Sequence, residues 1–255
     1  MRLPPGFVDC DRGLARVVAT RLELQDMVDL FLGPTCGDPR TRLAEVGVAM
    51  TGGRGGARRL VLPGGRAVYV RQYLRGGLMR RLWRDLYLRR PERPLTELVA
   101  TEVARAAGCP VPTVLAVCVQ EAGLFYRAWI VTEEVEGASD FIDAYENADS
   151  DLRRRLLSGV GKKIRSLESA GVYHADLNGH NVLVDGSGRI TFIDFDRAFV
   201  DRPGQTERSR GVMQRFLRSM TRLCRSLSIE FEPDALRLLE NGYRDDDAGK
   251  PGKPG

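Results

Sequence analysis

The chain has 255 residues and a formal net charge of +5, with 43% hydrophobic and 29% charged residues. This composition is that of an ordinary globular protein, long enough to bury about three quarters of its unfolded surface in one domain or two small lobes. Residues 1–6 lack the apolar core of a secretory signal, and no apolar run is long enough to span a membrane, so we expect neither export nor a transmembrane helix.

Five cysteines are scattered along the chain, with no C-x-x-C pair and an odd total. This pattern indicates neither a zinc site nor a disulfide framework, so we expect a protein of the reducing cytoplasm.

The N-terminal part is the least informative. An apolar-periodic stretch at 17–32 precedes the turn signal Gly33-Pro34 and predicts an amphipathic helix, so we assign residues 1–40 to a helical extension. Strand, glycine turn and strand are then predicted over 45–62. Gly53 and Gly55 lie in that turn, where glycines let the backbone approach phosphate groups closely, and a flexible hairpin tip is the alternative.

The next predicted strand, at 67–73, carries Arg71 where a kinase strand carries its phosphate-binding lysine. Arginine can also bind phosphate and pair with a carboxylate, although its planar fork differs from an ammonium group. The helix predicted at 95–107 offers two partners for it, Glu97 and Glu102. The pattern by itself leaves both partners open.

A basic segment lies around that strand, because residues 54–93 contain twelve arginines against Asp85 and Glu92. Apolar side chains recur along its second half, at Leu78, Leu82, Trp83 and Leu86. Such a segment can lie on anionic lipid, and packing of these side chains on the protein is the alternative. Charge alone leaves nucleic acid, phospholipid, a phosphorylated glycolipid and ATP open as partners.

Two strands predicted at 113–119 and 125–132 lead to Glu133 and Val135. By position these two residues fall in the connection between two lobes, where backbone groups of a kinase meet adenine. Backbone contacts leave no side-chain signature, so position is the only support for this assignment. A helix predicted at 151–169 follows.

The most specific pattern comes next. His174, Asp176 and Asn181 stand at the H-x-D-x-x-x-x-N spacing of a kinase catalytic loop, and Asp194 stands where a kinase holds its metal. Phosphoryl transfer needs one carboxylate for the acceptor hydroxyl and oxygen ligands for a metal that neutralises the phosphates. Asp176 is therefore the predicted base, Asn181 and Asp194 are the predicted Mg²⁺ ligands, and the chain is predicted to be a small ATP-dependent kinase.

Strands predicted at 182–184 and 190–193 form a hairpin that brings both proposed ligands to one end. The alternative is a loop in which the Asp and Asn side chains merely form Asx turns. We assign His174 a structural role in the loop, and His180 receives no role beyond a loop or acceptor contact.

Helices are also predicted at 207–227 and 233–243, and the polar tail at 245–255 is expected to be disordered.

The string Tyr173-His-Ala-Asp-Leu-Asn-Gly-His-Asn181, with Asp194-Phe-Asp-Arg197 after it, resembles the 3-deoxy-D-manno-octulosonic acid (Kdo) kinases of Gram-negative bacteria. The strand with Arg71, the turn at 108–112 and the strand at 126–133 are also similar to that family. The resemblance covers roughly residues 45–245.

It implies an α+β, protein-kinase-like fold of two lobes, with a small antiparallel-sheet lobe at 41–134 and a mainly helical lobe at 135–244. It also implies ATP, a divalent metal and phosphorylation of the 4-hydroxyl of Kdo on a lipid A precursor. In that family the helical glutamate lies about eleven residues before the glycine of the turn, which selects Glu97 as the partner of Arg71.

The resemblance places such a kinase at the cytoplasmic face of the bacterial inner membrane as a peripheral protein, bound to an anionic surface and a glycolipid but not to nucleic acid. A heptose kinase of the same pathway and a non-catalytic, basic, lipid-binding pseudokinase are the alternatives. The arginine excess disfavours phosphotransferases with cationic substrates, and the absence of an Ala-Pro-Glu motif after Asp194 disfavours a protein kinase.

Overall fold

The structure is a computed structural model that describes residues 2–13, 15–34, 37–46, 57–74, 85–88 and 93–245. The chain divides into two compact units. Unit 1 comprises Met1–Val99 and Thr113–Glu134, and unit 2 comprises Ala100–Pro112 and Val135–Gly255. The predicted glycine turn with Gly53 and Gly55, most of the second half of the basic segment and nearly all of the C-terminal tail lie outside the described residues.

Unit 1 is built on an antiparallel sheet, in which the described residues form seven strands in the order β1-β2-β6-β7-β4-β3, with β5 also paired to β7. The strands are β1 (Phe7–Asp11), β2 (Ala15–Thr20), β3 (Ala57–Val61), β4 (Ala67–Gln72), β5 (Tyr87–Leu88), β6 (Val114–Ala122) and β7 (Phe125–Glu133). The predicted strands at 67–73, 113–119 and 125–132 are thereby confirmed as β4, β6 and β7.

Helices of unit 1 contribute to both faces of this sheet. The helices are α1 (Leu24–Phe31), α2 (Pro39–Glu45) and the first half of α3 (Arg93–Ala106), which continues from Ala100 as part of unit 2. Phe31 of α1 packs with Trp129 in one apolar cluster, whereas Leu98 of α3 joins Ile130 in another. Because neighbouring strand residues point to opposite faces, the central strands are apolar on both sides. The helix predicted at 95–107 is confirmed as α3.

The helix predicted at 17–32 is wrong in its first part, because residues 15–20 form β2. Val17 and Ala19 are buried in one cluster and Val18 in the other. A strand covered on both faces gives a continuous apolar run, which periodicity alone does not distinguish from a buried helix. The first forty residues are therefore not a helical extension, since β1 and β2 lie among them and belong to the sheet of unit 1.

Two further differences concern shorter segments. The strand predicted from residue 45 is wrong at its start, because α2 ends at Glu45. Asp38 caps that helix by accepting from the amide of Arg40 at 2.8 Å, and Pro39 is at its first position, so a local start signal sets the helix. Leu86, the last of the recurring apolar residues in the basic segment, is not in a helix and directly precedes the two-residue strand β5.

Unit 2 is mainly helical, with α4 (Phe141–Glu146), α5 (Ser150–Ser169), α6 (Thr206–Leu227) and α7 (Ala235–Asp245). Its strands are β8 (Ala138–Asp140), β9 (Val172–His174), β10 (Val182–Asp185), β11 (Ile190–Phe192) and β12 (Ala198–Val200). β10 pairs with both β11 and β8, and β12 pairs with β9. The predicted hairpin and the three predicted helices of this part are confirmed, as is the α+β class of the whole chain.

A buried carboxylate joins three helices of unit 2. Glu168 of α5 is fully buried and accepts from Arg165 at 2.8 Å, from Ser209 of α6 and from Tyr243 of α7. A buried carboxylate is tolerated when its oxygens are bonded in this way, and losing one donor costs more than an exposed bond would. Burial also raises the pKa of Tyr243, so its hydroxyl stays a donor.

In the described ranges no helix combines the length and the apolar character needed to cross a membrane. The cysteines that the structure describes, Cys10, Cys109, Cys118 and Cys224, form no disulfide.

α5 and α7 cross at two glycines. A Cβ atom at Gly161 would lie 2.0 Å from the carbonyl oxygen of Leu239, and one at Gly242 would lie 1.9 Å from that of Ser158. Both obstacles are backbone atoms, so no rotamer change relieves the overlap. The two helices therefore approach at backbone distance only because both positions lack a side chain.

Gly242→Ala should force the two helices apart and lower the free energy of unfolding by about 1–3 kcal/mol, the usual cost of overpacking. Urea denaturation measures this change. Gly211→Ala is the matched control, because that glycine is also helical and has open space around it. The control should be neutral or stabilising by up to about 1 kcal/mol through helix propensity. Equal stability of the two variants would contradict the proposed close crossing.

Candidate active site

The loop between β9 and β10 is held by two side-chain amides that bond to one backbone carbonyl. Asn178 and Asn181 both donate from Nδ2 to the carbonyl oxygen of Asp176, at 2.8 and 3.0 Å. The side-chain oxygen of Asn178 accepts from the amide of His180 at 3.0 Å and caps the 3-10 turn Gly179–Asn181. At the H-x-D-x-x-x-x-N spacing, the asparagine side chains thus reach the backbone of their own loop and hold it in one conformation around Asp176.

His174 ties this loop to the segment that precedes Asp194. Its ring is fully buried, and Nε2 donates to the carbonyl oxygen of Ile193 at 2.9 Å. The ring also packs edge-on against Phe195, with 4.8 Å between centroids. Burial lowers the pKa of His174, so the neutral ring is the favoured form. These contacts agree with the structural role predicted for this histidine.

Asn181 and Asp194 are brought to one end of the hairpin, as predicted. Beyond the paired strands, the amide of Ile193 donates to the carbonyl oxygen of Asn181 at 3.0 Å, and Asp194 follows directly. Asp194 has a left-handed backbone, with φ 61° and ψ 66°. A non-glycine residue in this region is uncommon and costs about 1–3 kcal/mol, and such conformations cluster at functional sites.

The two side chains fit a magnesium site by their chemistry. Because Asn181 donates from Nδ2 to the loop, its amide oxygen is the atom that remains to act as a ligand. The Asp194 carboxylate supplies a second hard oxygen, and Mg²⁺ usually takes only one or two protein groups beside water and phosphate. Over the described part of the chain, no group of three or more His, Cys, Asp or Glu side chains could hold a metal.

The side chain of Asp176 bonds to a residue that the sequence analysis did not single out. Oδ1 accepts from Nη1 of Arg215, on α6, at 2.9 Å. The Arg215 and Asp176 side chains are 46% and 40% exposed, so this pair is worth no more than about 1 kcal/mol. Composition was the one feature of the sequence that pointed to a role for this helix in the site, because residues 206–227 contain six arginines against one acidic residue, Glu207.

His180 has a loop contact. Its Nδ1 lies 2.6 Å from Oδ2 of Asp140, whose other oxygen accepts from the amide of Ile142 at 2.9 Å and caps α4. The histidine therefore links the 3-10 turn of the loop to the start of a helix, which is the loop contact left open for it.

Within unit 1, the predicted pair of Arg71 and Glu97 is formed. Nη2 of Arg71 lies 2.6 and 2.7 Å from the two oxygens of Glu97, and the hydroxyl of Tyr73 donates to the same carboxylate. The two side chains are only 18% and 5% exposed. Glu102, the other candidate, instead pairs with Arg105 at 2.7 Å.

Hydrogen bonds fix the backbone at the end of β7, where adenine is predicted to bind. The amide of Glu133 donates to the carbonyl oxygen of Thr113 at 2.9 Å, and that of Glu134 donates to Ala67 at 3.1 Å. Both amides are thus committed to unit 1, and of the two predicted residues only Val135 lies beyond the sheet. The Glu133 side chain pairs with Arg66 at 3.3 Å.

Comparison with known proteins gives a consistent result. Residues 44–243 match the model of the lipopolysaccharide kinase (Kdo/WaaP) family. The chain is 35% identical over 239 residues to 3-deoxy-D-manno-octulosonic acid kinase of Stenotrophomonas maltophilia strain R551-3, covering 89% of each protein. It is 34% identical over 215 residues to the enzyme of that name from Xanthomonas oryzae pv. oryzae strain PXO99A, covering 83% of this chain and 82% of the relative.

The burial of His174 predicts a pH dependence of stability. Because burial lowers its pKa below the usual 6.5, the unfolded chain takes up a proton at higher pH than the folded chain does. The contribution of the neutral ring to the free energy of unfolding is therefore complete above pH 6.5. It should be lost as the pH falls from 6.5 towards the lower pKa of His174 in the folded chain.

Urea denaturation between pH 8 and pH 5 measures this dependence. His174→Gln keeps an amide donor for Ile193 and should flatten the slope. The chain has one other histidine, so His180→Gln serves as the control and should retain the slope due to His174. An unchanged slope in His174→Gln would show that another group titrates.

Glu97→Gln should leave the buried Arg71 guanidinium without its carboxylate and lower the free energy of unfolding by about 3 kcal/mol. Glu102→Gln on the same helix is the matched control and should cost less than about 1 kcal/mol, because its partner Arg105 is 50% exposed. Chemical denaturation of both variants measures the difference. Equal losses would mean that the Arg71 pair contributes no more than a pair whose arginine is half exposed.

Proposed function

The chain belongs to the lipopolysaccharide kinase (Kdo/WaaP) family, and from that premise we propose that it transfers the γ-phosphoryl group of ATP to the 4-hydroxyl of Kdo in the inner core of a lipid A precursor. It is a phosphotransferase that acts on a hydroxyl group. The observation that carries the proposal is the bonding of Asn178 and Asn181 to one carbonyl, which fixes Asp176 beside the segment that leads to Asp194.

In the proposed reaction, the acceptor hydroxyl donates to the carboxylate of Asp176, which orients its oxygen for in-line attack. A bond forms between that oxygen and the γ-phosphorus, and the bond from the γ-phosphorus to the oxygen of ADP breaks. The hydroxyl proton passes to Asp176 late in the reaction and then to solvent. Asn181 and Asp194 would hold Mg²⁺, which when bound supplies positive charge to the phosphate oxygens.

Arg71 is proposed to bind the phosphates of ATP, with Glu97 and Tyr73 fixing the direction of its guanidinium. An arginine in this position keeps its full charge at any physiological pH and offers a planar fork of donors, so it suits phosphate oxygens. Gly53 and Gly55 are proposed to approach the phosphates, and the backbone at Glu133 and Val135 to meet adenine.

The acceptor assignment is supported by the relatives, which are named for a sugar acid. Labelled ATP and Mg²⁺ with acceptors ending in Kdo or in heptose test it directly, and the position of the phosphate is read by NMR of the product. Transfer to heptose alone would contradict the assignment. Binding of the acceptor without any transfer would indicate a pseudokinase.

Because ATP is a cytoplasmic substrate and the acceptor is a lipid, we also propose peripheral attachment at the cytoplasmic face of the inner membrane. The basic segment at 54–93 would provide its positive charge, and anionic lipid attracts such segments at low ionic strength. Flotation with phosphatidylglycerol vesicles at low salt tests the attachment. A protein that stayed entirely in the soluble fraction would contradict it.

Asp176→Asn should keep the fold and ATP binding but lower kcat about 10²–10⁴-fold, the usual contribution of a positioned acid–base group. Asp194→Asn should instead mainly weaken metal-dependent nucleotide binding, because it removes charge from a proposed ligand. Steady-state kinetics and ATP titrations with and without Mg²⁺ separate the two effects.

Asp151→Asn, an exposed position in the first turn of α5, is the matched control and should behave as the unaltered enzyme. Identical behaviour of the Asp176 and Asp194 variants would refute the assignment of separate roles.

A further inference from the structure

One side of α6 carries an exposed row of arginines. Arg215, Arg218, Arg222 and Arg225 follow one another at spacings of three, four and three residues, which places them on a single face of a helix. We call these four residues the α6 basic face. The opposite side of the helix is buried against unit 2 through Met213, Phe216, Met220 and Cys224.

The charges along α6 are only partly compensated. Arg208 pairs with Asp201 at 2.6 Å, Arg210 with Glu207 at 2.9 Å and Arg215 with Asp176 at 2.9 Å. Among the residues that the structure describes, Arg218, Arg222 and Arg225 form no ion pair with a carboxylate. Their number on one face makes this helix a surface of concentrated positive potential.

Like charges this close carry a cost to the free protein. Arg218 and Arg222 are four residues apart, where like charges on a helix repel by about 0.2–0.5 kcal/mol. An anionic ligand removes this repulsion when it binds. Such a ligand therefore gains from a face on which, among the described residues, only Arg215 has a carboxylate partner.

This face begins at the proposed base. Arg215 contacts Asp176, and a Cβ atom at Gly179 would lie 2.7 Å from Sδ of Met220, so the loop rests directly on α6. From Arg215 to Arg225 the helix advances about 15 Å, at 1.5 Å per residue. An acceptor whose hydroxyl reaches Asp176 could therefore place further anionic groups along this row.

We infer that the α6 basic face binds the anionic head of the acceptor glycolipid, and that Arg215 exchanges Asp176 for the carboxylate of the acceptor sugar. This inference rests on the proposed function, under which the acceptor is a sugar acid on a phosphorylated lipid. The guanidinium fork matches carboxylate and phosphate in two-bond geometry, and all four members of the face are arginines. Arg218, Arg222 and Arg225 hold the more distant anionic groups.

The first test compares two doubly substituted enzymes with equal loss of charge. Arg218→Gln/Arg222→Gln removes the middle of the face, whereas Arg210→Gln/Arg237→Gln removes exposed arginines outside it, one of them on α6 itself. The substrate is a deacylated, water-soluble Kdo acceptor. The first variant should raise KM for the acceptor roughly tenfold, with kcat and KM for ATP within about twofold, as expected for two partly exposed ion pairs. The control should match the unaltered enzyme.

The second test addresses Arg215 and the sugar carboxylate together. The unaltered enzyme and Arg215→Gln are assayed with the acid acceptor and with the same acceptor reduced to an alcohol at that carboxyl group. Arg215→Gln should raise KM about tenfold or more for the acid and change it less than about twofold for the alcohol, because the partner is then already absent. A purely structural role of Arg215 would raise KM for both acceptors alike and would overturn the inference.

A vesicle measurement separates the glycolipid head from the membrane surface as the occupant. Flotation with phosphatidylglycerol vesicles that lack acceptor should be the same for both doubly substituted enzymes. Loss of flotation in Arg218→Gln/Arg222→Gln, with unchanged KM for the soluble acceptor, would assign the face to the membrane and overturn the inference. Failure of the unaltered enzyme to phosphorylate any Kdo acceptor would instead refute the proposed function.

Discussion

The carbonyl oxygen of Asp176 is the anchor on which the candidate site in unit 2 depends. Two side-chain amides bond to it, and the second of these belongs to Asn181, whose own carbonyl holds the segment before Asp194. His174 adds another bond to that segment, at the carbonyl oxygen of Ile193. The proposed base and the proposed metal ligands are thus fixed by short-range bonds among neighbours, which a few specific residue types at fixed spacing are sufficient to form.

In unit 1, the central feature is the largely buried guanidinium of Arg71. The carboxylate of Glu97 receives both Arg71 and Tyr73, and Arg71 also lies over the Tyr73 ring at 4.7 Å. Burying a charge is expensive unless its partner and its hydrogen bonds are in place, so this trio is arranged around one ion pair. The strand that carries Arg71 is packed between the apolar clusters on the two faces of the sheet, and this close packing restricts the positions of the three side chains.

The sequence was most informative where structure is local. The loop at 174–181, the hairpin after it and the long helices follow from turn residues and periodicity, which act over a few positions. The prediction of a helix at residues 15–20 was wrong because both faces of β2 are buried. Burial on both faces comes from tertiary packing, and it gives a run of apolar residues that a strand and a buried helix share. The preference for Glu97 over Glu102 required a family resemblance. Arg215 was missed, because its contact with Asp176 joins residues 39 positions apart and follows no motif.

The contact between Arg215 and Asp176 also determines what the proposed base is bonded to before an acceptor binds. One oxygen of the proposed base already accepts a hydrogen bond from a guanidinium, while the other oxygen has no such partner in this ion pair. Under the role inferred for the α6 basic face, an acceptor that carries its own negative group competes for this guanidinium as it docks. Under that inference, the same pair couples binding of an anionic acceptor to release of one oxygen of the proposed base.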